Sequence, residues 1–351
     1  MEKFKQELII ISSEVETAAY NRLPAWHGLG TVVPNAMTAA EALKIAGIDW
    51  LVEGRTAYFQ KQPDPAQIAS ASYQEVPHCM INVRMSDQKV LGVVTDRYKI
   101  CQNHAAFSFI DHIIGKEGNA HYESAGALFG GKQVWMLAKM DGVSILGDQV
   151  DPYIVFRNSH DGSTGITVAL TPVRVVCNNT LTMALDGAKR VWSTTHTGDL
   201  DQKMEEARET LRHVKQYMEE MPKAATAMYE LNVYKDEIPK ILKEIFPDPL
   251  PAKGEDAPGK IAVAHVEKAR QDVFNIYETV DDIAKFNGTA WGFYNAITDY
   301  AQHVRPVGDL ENLRDSEKRS ISARESLFVR TVNGDPIVMN TQKILMRLVR
   351  K

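Results

Sequence analysis

From Leu200 to Met221 the chain repeats apolar residues in alternating steps of four and three: Leu200, Met204, Ala207, Leu211, Val214, Met218 and Met221. A seam of that spacing suits a helix laid nearly parallel to a neighbour, and no strand. Pro222 follows and is expected to end the run. A second series, Val266, Ala269, Val273, Ile276, Val280 and Ile283, supplies the economical partner, so these two helices are expected to pack together. The Pro/Gly-rich stretch 247–260 between them reads as a mobile connector. Residues 291–304 and 336–350 complete a helical second half.

Before residue 200 the texture is different: short apolar, β-branched runs broken by turn signals. Thr38 with Glu41 three residues on predicts a capped helix over 38–46, stopped at Gly47. Asn103 is placed to cap another over 104–114. Residues 89–95 read as a strand, and Pro63-Asp64-Pro65 marks a loop. Two hairpins are expected, 122–128 with 133–140 around Gly130-Gly131, and 153–158 with 166–171 around residues 159–163. Residues 173–177 should continue the sheet, a short helix should follow near 180–185, and 190–195 should add a strand. The expected fold class is therefore α+β, an antiparallel-rich sheet with hairpins and short helices followed by a mostly helical C-terminal part. The expected domains are 1–199 and 200–351.

Forty-five acids against forty bases give a net charge of −5, so there is no global basic signature of nucleic-acid binding, although a local basic face is compatible with it. No apolar run approaches the ~18 residues of a membrane span, and Leu8–Ile11 is too short for the core of a signal peptide. Three widely spaced cysteines fit a reducing compartment. A cytoplasmic protein without membrane contact is expected.

Cys177 ends a predicted strand, and His160, His196 and Asp161 are candidate partners for it as a nucleophile. Alternation also groups Cys177 with Val173 and Val175 on an apolar face, which favours a buried structural thiol over a nucleophile. The histidines are scattered singly, His78 and Cys79 fall on opposite sides of a strand, and the glycines match no phosphate loop. No cofactor or metal is expected. Residues 158–163, Asn-Ser-His-Asp-Gly-Ser, read as a hairpin turn or as a loop meeting a phosphate or base. A site-lining role for His27 competes with a buried plug formed by its Gly-rich segment.

Alternation groups Tyr153 with Arg157, Trp135 with Lys139, and Arg174 with Val176. Were these faces coplanar, rings would interleave with cations, the combination that single-stranded nucleic-acid binders use. The other reading is a solvated face whose cations pair with acids of the helical half. Arg97-Tyr98-Lys99 and Lys189-Arg190 would extend such a face.

The segments Pro24-Ala25-Trp26-His27-Gly28-Leu29-Gly30, Leu91-Gly92-Val93-Val94, Arg97-Tyr98, Gln102-Asn103, residues 125–131, 158–163 and 172–181, and Thr289-Ala290-Trp291 resemble a family of phage and plasmid proteins of unknown function. The likeness runs along essentially the whole chain and implies a gene of phages, prophages or conjugative elements, with no assigned activity. The order of elements over 120–190 also looks like the core of the single-strand annealing superfamily, a likeness of arrangement alone.

The leading expectation is a non-catalytic, oligomeric protein that binds or anneals single-stranded DNA, or RNA, during replication or recombination of a mobile element. Arg97, Lys99, Lys139, Arg157, Arg174, Lys189 and Arg190 would neutralise phosphates, Tyr98, Trp135 and Tyr153 would stack bases, and His160 would edge the groove. The alternatives are a host-takeover or counter-defence protein that binds a host protein, and a hydrolase built on Cys177, His160 and Asp161.

Overall fold

Thr38 opens the first helix as its neighbours require. In the computed structural model, which describes residues 19–20, 31–32, 38–61, 72–107, 111, 120–174, 179–181, 183, 190–253, 256–305 and 316–349, the Thr38 hydroxyl accepts from Glu41 N at 3.3 Å. Glu41 Oε2 accepts in return from Thr38 N at 2.9 Å. This reciprocal cap satisfies two donors that a helix start leaves open and begins α1 (Ala39–Ile45).

The larger sheet takes the strand order β11-β10-β9-β7-β6-β1-β2, with β12 on β10 and β8 on β9. Its strands are β1 (Ala19–Tyr20), β2 (Thr31–Val32), β6 (Ala120–Leu128), β7 (Gln133–Met140), β8 (Val143–Ile145), β9 (Asp148–Ser159), β10 (Ile166–Arg174), β11 (Asn179–Thr180) and β12 (Val191–Thr194). Both expected hairpins are present, β6–β7 and β9–β10, each antiparallel. A second sheet, β3 (Val52–Gln60), β4 (Tyr73–Arg84) and β5 (Lys89–Thr95), is antiparallel throughout. The fold is α+β. The loop at 63–65 lies outside the described residues, as do 182, 184 and 185 of the helix expected near 180–185, whose first residue, Thr180, instead ends β11.

The larger sheet is buried on both faces. On one, Met136, Ile154, Phe156 and Val168 pack against Trp50, Leu91 and α1. Further along that face, Val150 and Leu170 join a cluster shared with the helices. On the other, Trp135, Leu137, Tyr153 and Val155 lie under Phe328 and Val332. Period-two alternation explains both rows, because each strand sends alternate side chains to opposite sides.

The helices are α2 (Leu200–Glu230), α3 (Ile238–Ile245), α4 (Lys260–Thr279), α5 (Asp281–Ala284), α6 (Ala290–Asp299), α7 (Ser316–Asn333) and α8 (Pro336–Val349). Two expectations are corrected. Pro222 does not end α2, which continues through it to Glu230. The backbone bond lost at a proline costs ~3 kcal/mol, and burial of Met221, Ala225 and Met228 around it offsets that. Nor are α2 and α4 each other's main neighbours, since both pack chiefly on α6. Every residue from Ala290 to Thr298 is buried, so α6 is the axis that both seams cover.

Candidate functional site: a polar junction beneath a β-ribbon

The β9–β10 turn is a turn by construction. Asp161 Oδ1 accepts from Ser163 N at 3.0 Å and from Ser163 Oγ at 2.5 Å, while Gly162 takes a φ of 74°. Aspartate and glycine supply those two requirements. Strand β5 passes directly over it. A Cβ on Gly92 would stand 2.4 Å from Asp161 Cα, so only glycine lets the two backbones meet.

Beneath this contact lies a buried polar nucleus. His160 Nε2 lies 2.9 Å from Asn103 Oδ1, and Asn103 Nδ2 donates to Ile48 O at 2.8 Å. Asn82 donates to His160 O at 2.7 Å, Asn158 to Cys101 O at 2.9 Å, and Tyr98 OH to Ser159 O at 2.5 Å. The Tyr98 ring stacks on His196 at 4.5 Å, whose Nδ1 lies 3.0 Å from Lys99 O. Segments far apart in sequence are thus cross-linked by side chain to backbone bonds, each worth ~0.5–1.5 kcal/mol net and more if one partner is orphaned.

Burial, and secondarily the nearby His196, hold His160 down to about 3 from 6.5; burial also lowers His196. The His160 ring is therefore neutral when folded. The unfolded chain takes up protons near 6.5 that the folded chain refuses, so this stability is complete above pH 6.5 and is lost as pH falls from there toward 3. Urea midpoints should drop between about pH 6.5 and pH 5, a window above ordinary carboxylate titration, with a slope of up to ~1.4 kcal/mol per pH unit per imidazole. His160→Asn should flatten that slope, and an unchanged slope would remove His160 as its source.

Outside the nucleus the second sheet projects. Between Thr56↔Met80 and Tyr58↔Glu75 the register slips, so that residues 76–79 of β4 oppose Ala57 alone. Beyond this bulge the β3–β4 ribbon is exposed: Tyr58 is 58% accessible, Phe59 48% and Tyr73 64%. Gln60 pairs with Tyr73, which sets Tyr58 and Tyr73 on one face, with Phe59 and Lys61 on the other. Arg55 and Lys61 are exposed beside them. At the ribbon's base, His78, Thr95, Asp96, Arg97 and Thr197 line a cavity of about 360 Å³.

The ring-and-cation face expected on the larger sheet is corrected. Trp135 stands opposite Arg157 and Lys139 opposite Tyr153, so those four do share a side. That side is interior: α7 lays Phe328 on Trp135 at 5.0 Å. Tyr153 is buried with its hydroxyl on Glu123, and Lys139 is half-buried on Asp151 at 2.5 Å. Buried Arg157 reaches Thr164 and Asn333. Arg174 pairs with Val150, which puts it on the opposite face, fully buried between Asp148 and Asp282. Arg190 is half-buried and spends its guanidinium on Leu170 O and Val332 O, the latter at the C-terminal end of α7, where cations are favoured. His160 is buried and Tyr98 half-buried. Arg97 and Lys99 are exposed. Lys189, Cys177 and His27 lie outside the described residues.

Sequence reasoning missed Tyr58, Phe59, Tyr73 and the meeting of His78 with Asp96. Alternating β-formers over 52–60 could have announced the ribbon. The bulge that turns His78 toward Asp96 had only Pro77 as its signal.

Taken together, this is an α+β protein with a sheet buried on both faces, a projecting three-stranded sheet and a polar junction between them. Residues 90–335 match the family described as Domain of unknown function (DUF932), and the chain belongs to it. No curated protein and no solved structure matches. The matched span includes Arg97, Tyr98, Asn103, residues 158–163 and His196; β3 and β4 precede it. Among the described residues no helix is long and apolar enough to cross a membrane.

Proposed function

We propose that the chain is a binding protein for single-stranded nucleic acid, acting in the phage or mobile-element setting that its motifs resemble, with the β3–β4 ribbon as its contact surface. The observation that carries this reading is the exposure of three rings, Tyr58, Phe59 and Tyr73, on a ribbon that also bears Lys61 and the Glu53-paired Arg55, with Lys99 exposed just beyond β5. Exposed rings on a narrow ribbon suit bases, whose faces stack without regard to sequence at ~1–3 kcal/mol each. The neighbouring cations are placed to neutralise phosphates, so affinity should fall steeply with salt. The net charge of −5 keeps one protomer's affinity modest, and an oligomer that aligns several ribbons along one strand would raise it.

Fluorescence anisotropy with a labelled single strand at low and moderate salt tests the reading. Tyr58→Ala combined with Tyr73→Ala should weaken binding roughly five- to a hundred-fold per ring, with folding intact because both rings are exposed. Absence of binding at low salt sinks the proposal. Full binding by the double variant moves the contact away from the ribbon.

A further inference from the structure

The cavity at the ribbon's base has a chemistry of its own. His78 lies in the β4 bulge with a φ of 58°, a conformation in which a side chain other than glycine stores strain. That strain has no packing reason, because the His78 side chain is 84% exposed. What the backbone achieves is to set Nδ1 2.8 Å from Asp96 Oδ2. The carboxylate fixes the ring and leaves Nε2 to a ligand. Next to it stands Arg97. Among the described residues, Arg55, Arg84, Arg174, Arg270, Arg305 and Arg347 are each tied to a carboxylate, whereas the exposed Arg97 makes no side-chain hydrogen bond or ion pair with them.

Two threonines complete the lining. Thr95 and Thr197 line the cavity. Behind Thr197, Lys203 Nζ donates to Thr195 O at 3.1 Å, Thr195 Oγ1 at 3.3 Å and Thr197 O at 2.5 Å, which uses all three of its protons and holds that segment in place. One exposed arginine, two threonines and an imidazole line the cavity with a single acid, Asp96, which is engaged with His78 and also feels the Arg97 charge.

We infer that this cavity binds a terminal phosphate, either as a monoester or as the free anion. Arginine's planar fork is suited to phosphate oxygens. A phosphate oxygen that carries a proton can donate it to Nε2, the ring nitrogen that Asp96 leaves open. A volume of about 360 Å³ admits a phosphate with its sugar and excludes a folded polymer. The group has two sources, the phosphorylated end of a nucleic-acid strand or free phosphate. The first rests on the ribbon reading and the second does not.

The experiment uses the full chain and separates them. Labelled single strands of one sequence, with and without a terminal phosphate, are compared by anisotropy, and inorganic phosphate is titrated calorimetrically. A preference of about tenfold or more for the phosphorylated end is expected, abolished in Arg97→Ala. His78→Gly should abolish it too, while its melting temperature holds or rises because glycine relieves the strained φ. Phosphate heat lost in Arg97→Ala, without any end preference, identifies free phosphate as the source. Equal affinity for both ends with no phosphate heat overturns the inference and leaves the ribbon reading standing. Phosphate heat with no strand binding overturns the ribbon reading and leaves the cavity.

Discussion

Replacing Arg174 by methionine should lower the stability of the folded chain by about 3–5 kcal/mol, read as a fall in the urea midpoint. The guanidinium has no solvent exposure and spends all its nitrogens inside the protein. Nε donates to Asp148 Oδ2 at 2.7 Å, Nη1 lies 3.0 Å from Asp282 Oδ2 and 3.3 Å from Asn295 Oδ1, and Nη2 donates to Asp282 O at 2.7 Å. The Phe286 ring lies 5.6 Å away. These contacts join β10 to α5 and α6, so one side chain ties the sheet to the helices. Methionine fills the volume but leaves two carboxylates, Asp148 and Asp282, against one cation, Lys285, which bonds Asp148, and an uncompensated charge in this setting is the costly outcome. Combining Arg174→Met with Asp148→Asn should recover part of the loss. A loss below about 1 kcal/mol would mean that the network behaves as an exposed ion pair does.

Trp135→Ala should cost a similar amount, about 3–5 kcal/mol, through the cavity left beneath α7. Trp135 is fully buried, flanked by Leu137 and Val155 and covered by Phe328. The same residue was a candidate for stacking a base, and the measurement separates the two roles. A structural ring lowers the unfolding midpoint and leaves the affinity of the folded fraction for a single strand at its wild-type value. A stacking ring does the reverse. Phe328→Ala on the facing helix should reproduce the stability loss, since it empties the same contact from the other side.

Much of the architecture was legible in the sequence because it depends on local rules. The Thr38–Glu41 cap, both hairpins of the larger sheet and the helical second half follow from capping chemistry, turn residues and periodicity. Alternation also grouped Trp135 with Lys139 and Tyr153 with Arg157, and the strand register sets the two pairs on one side. It could not report what covers that side, since α7 arrives from more than 150 residues downstream with no local trace of where it docks. The same limit explains α6, whose apolar run says that it is buried but not between which partners. The site was half legible. Arg97, Tyr98, Asn103 and His160 were singled out as motifs, yet their convergence depends on β5 crossing the turn at Gly92, a contact between residues 69 positions apart. The bulge at residues 76–79 belongs to the same class, because a register slip is a property of two strands together.

The ribbon's edge has a further consequence. Beyond Cys79, where β5 stops pairing, residues 73–77 of β4 have no second neighbouring strand among the described residues. A free edge of that kind ordinarily invites another chain to add on, and repeated addition leads to fibrils. Here Pro77 lacks the amide such an addition needs, and the left-handed backbone of His78 bends the edge out of register. The bend that aims the histidine therefore also guards a sticky, ring-bearing arm against self-templated aggregation.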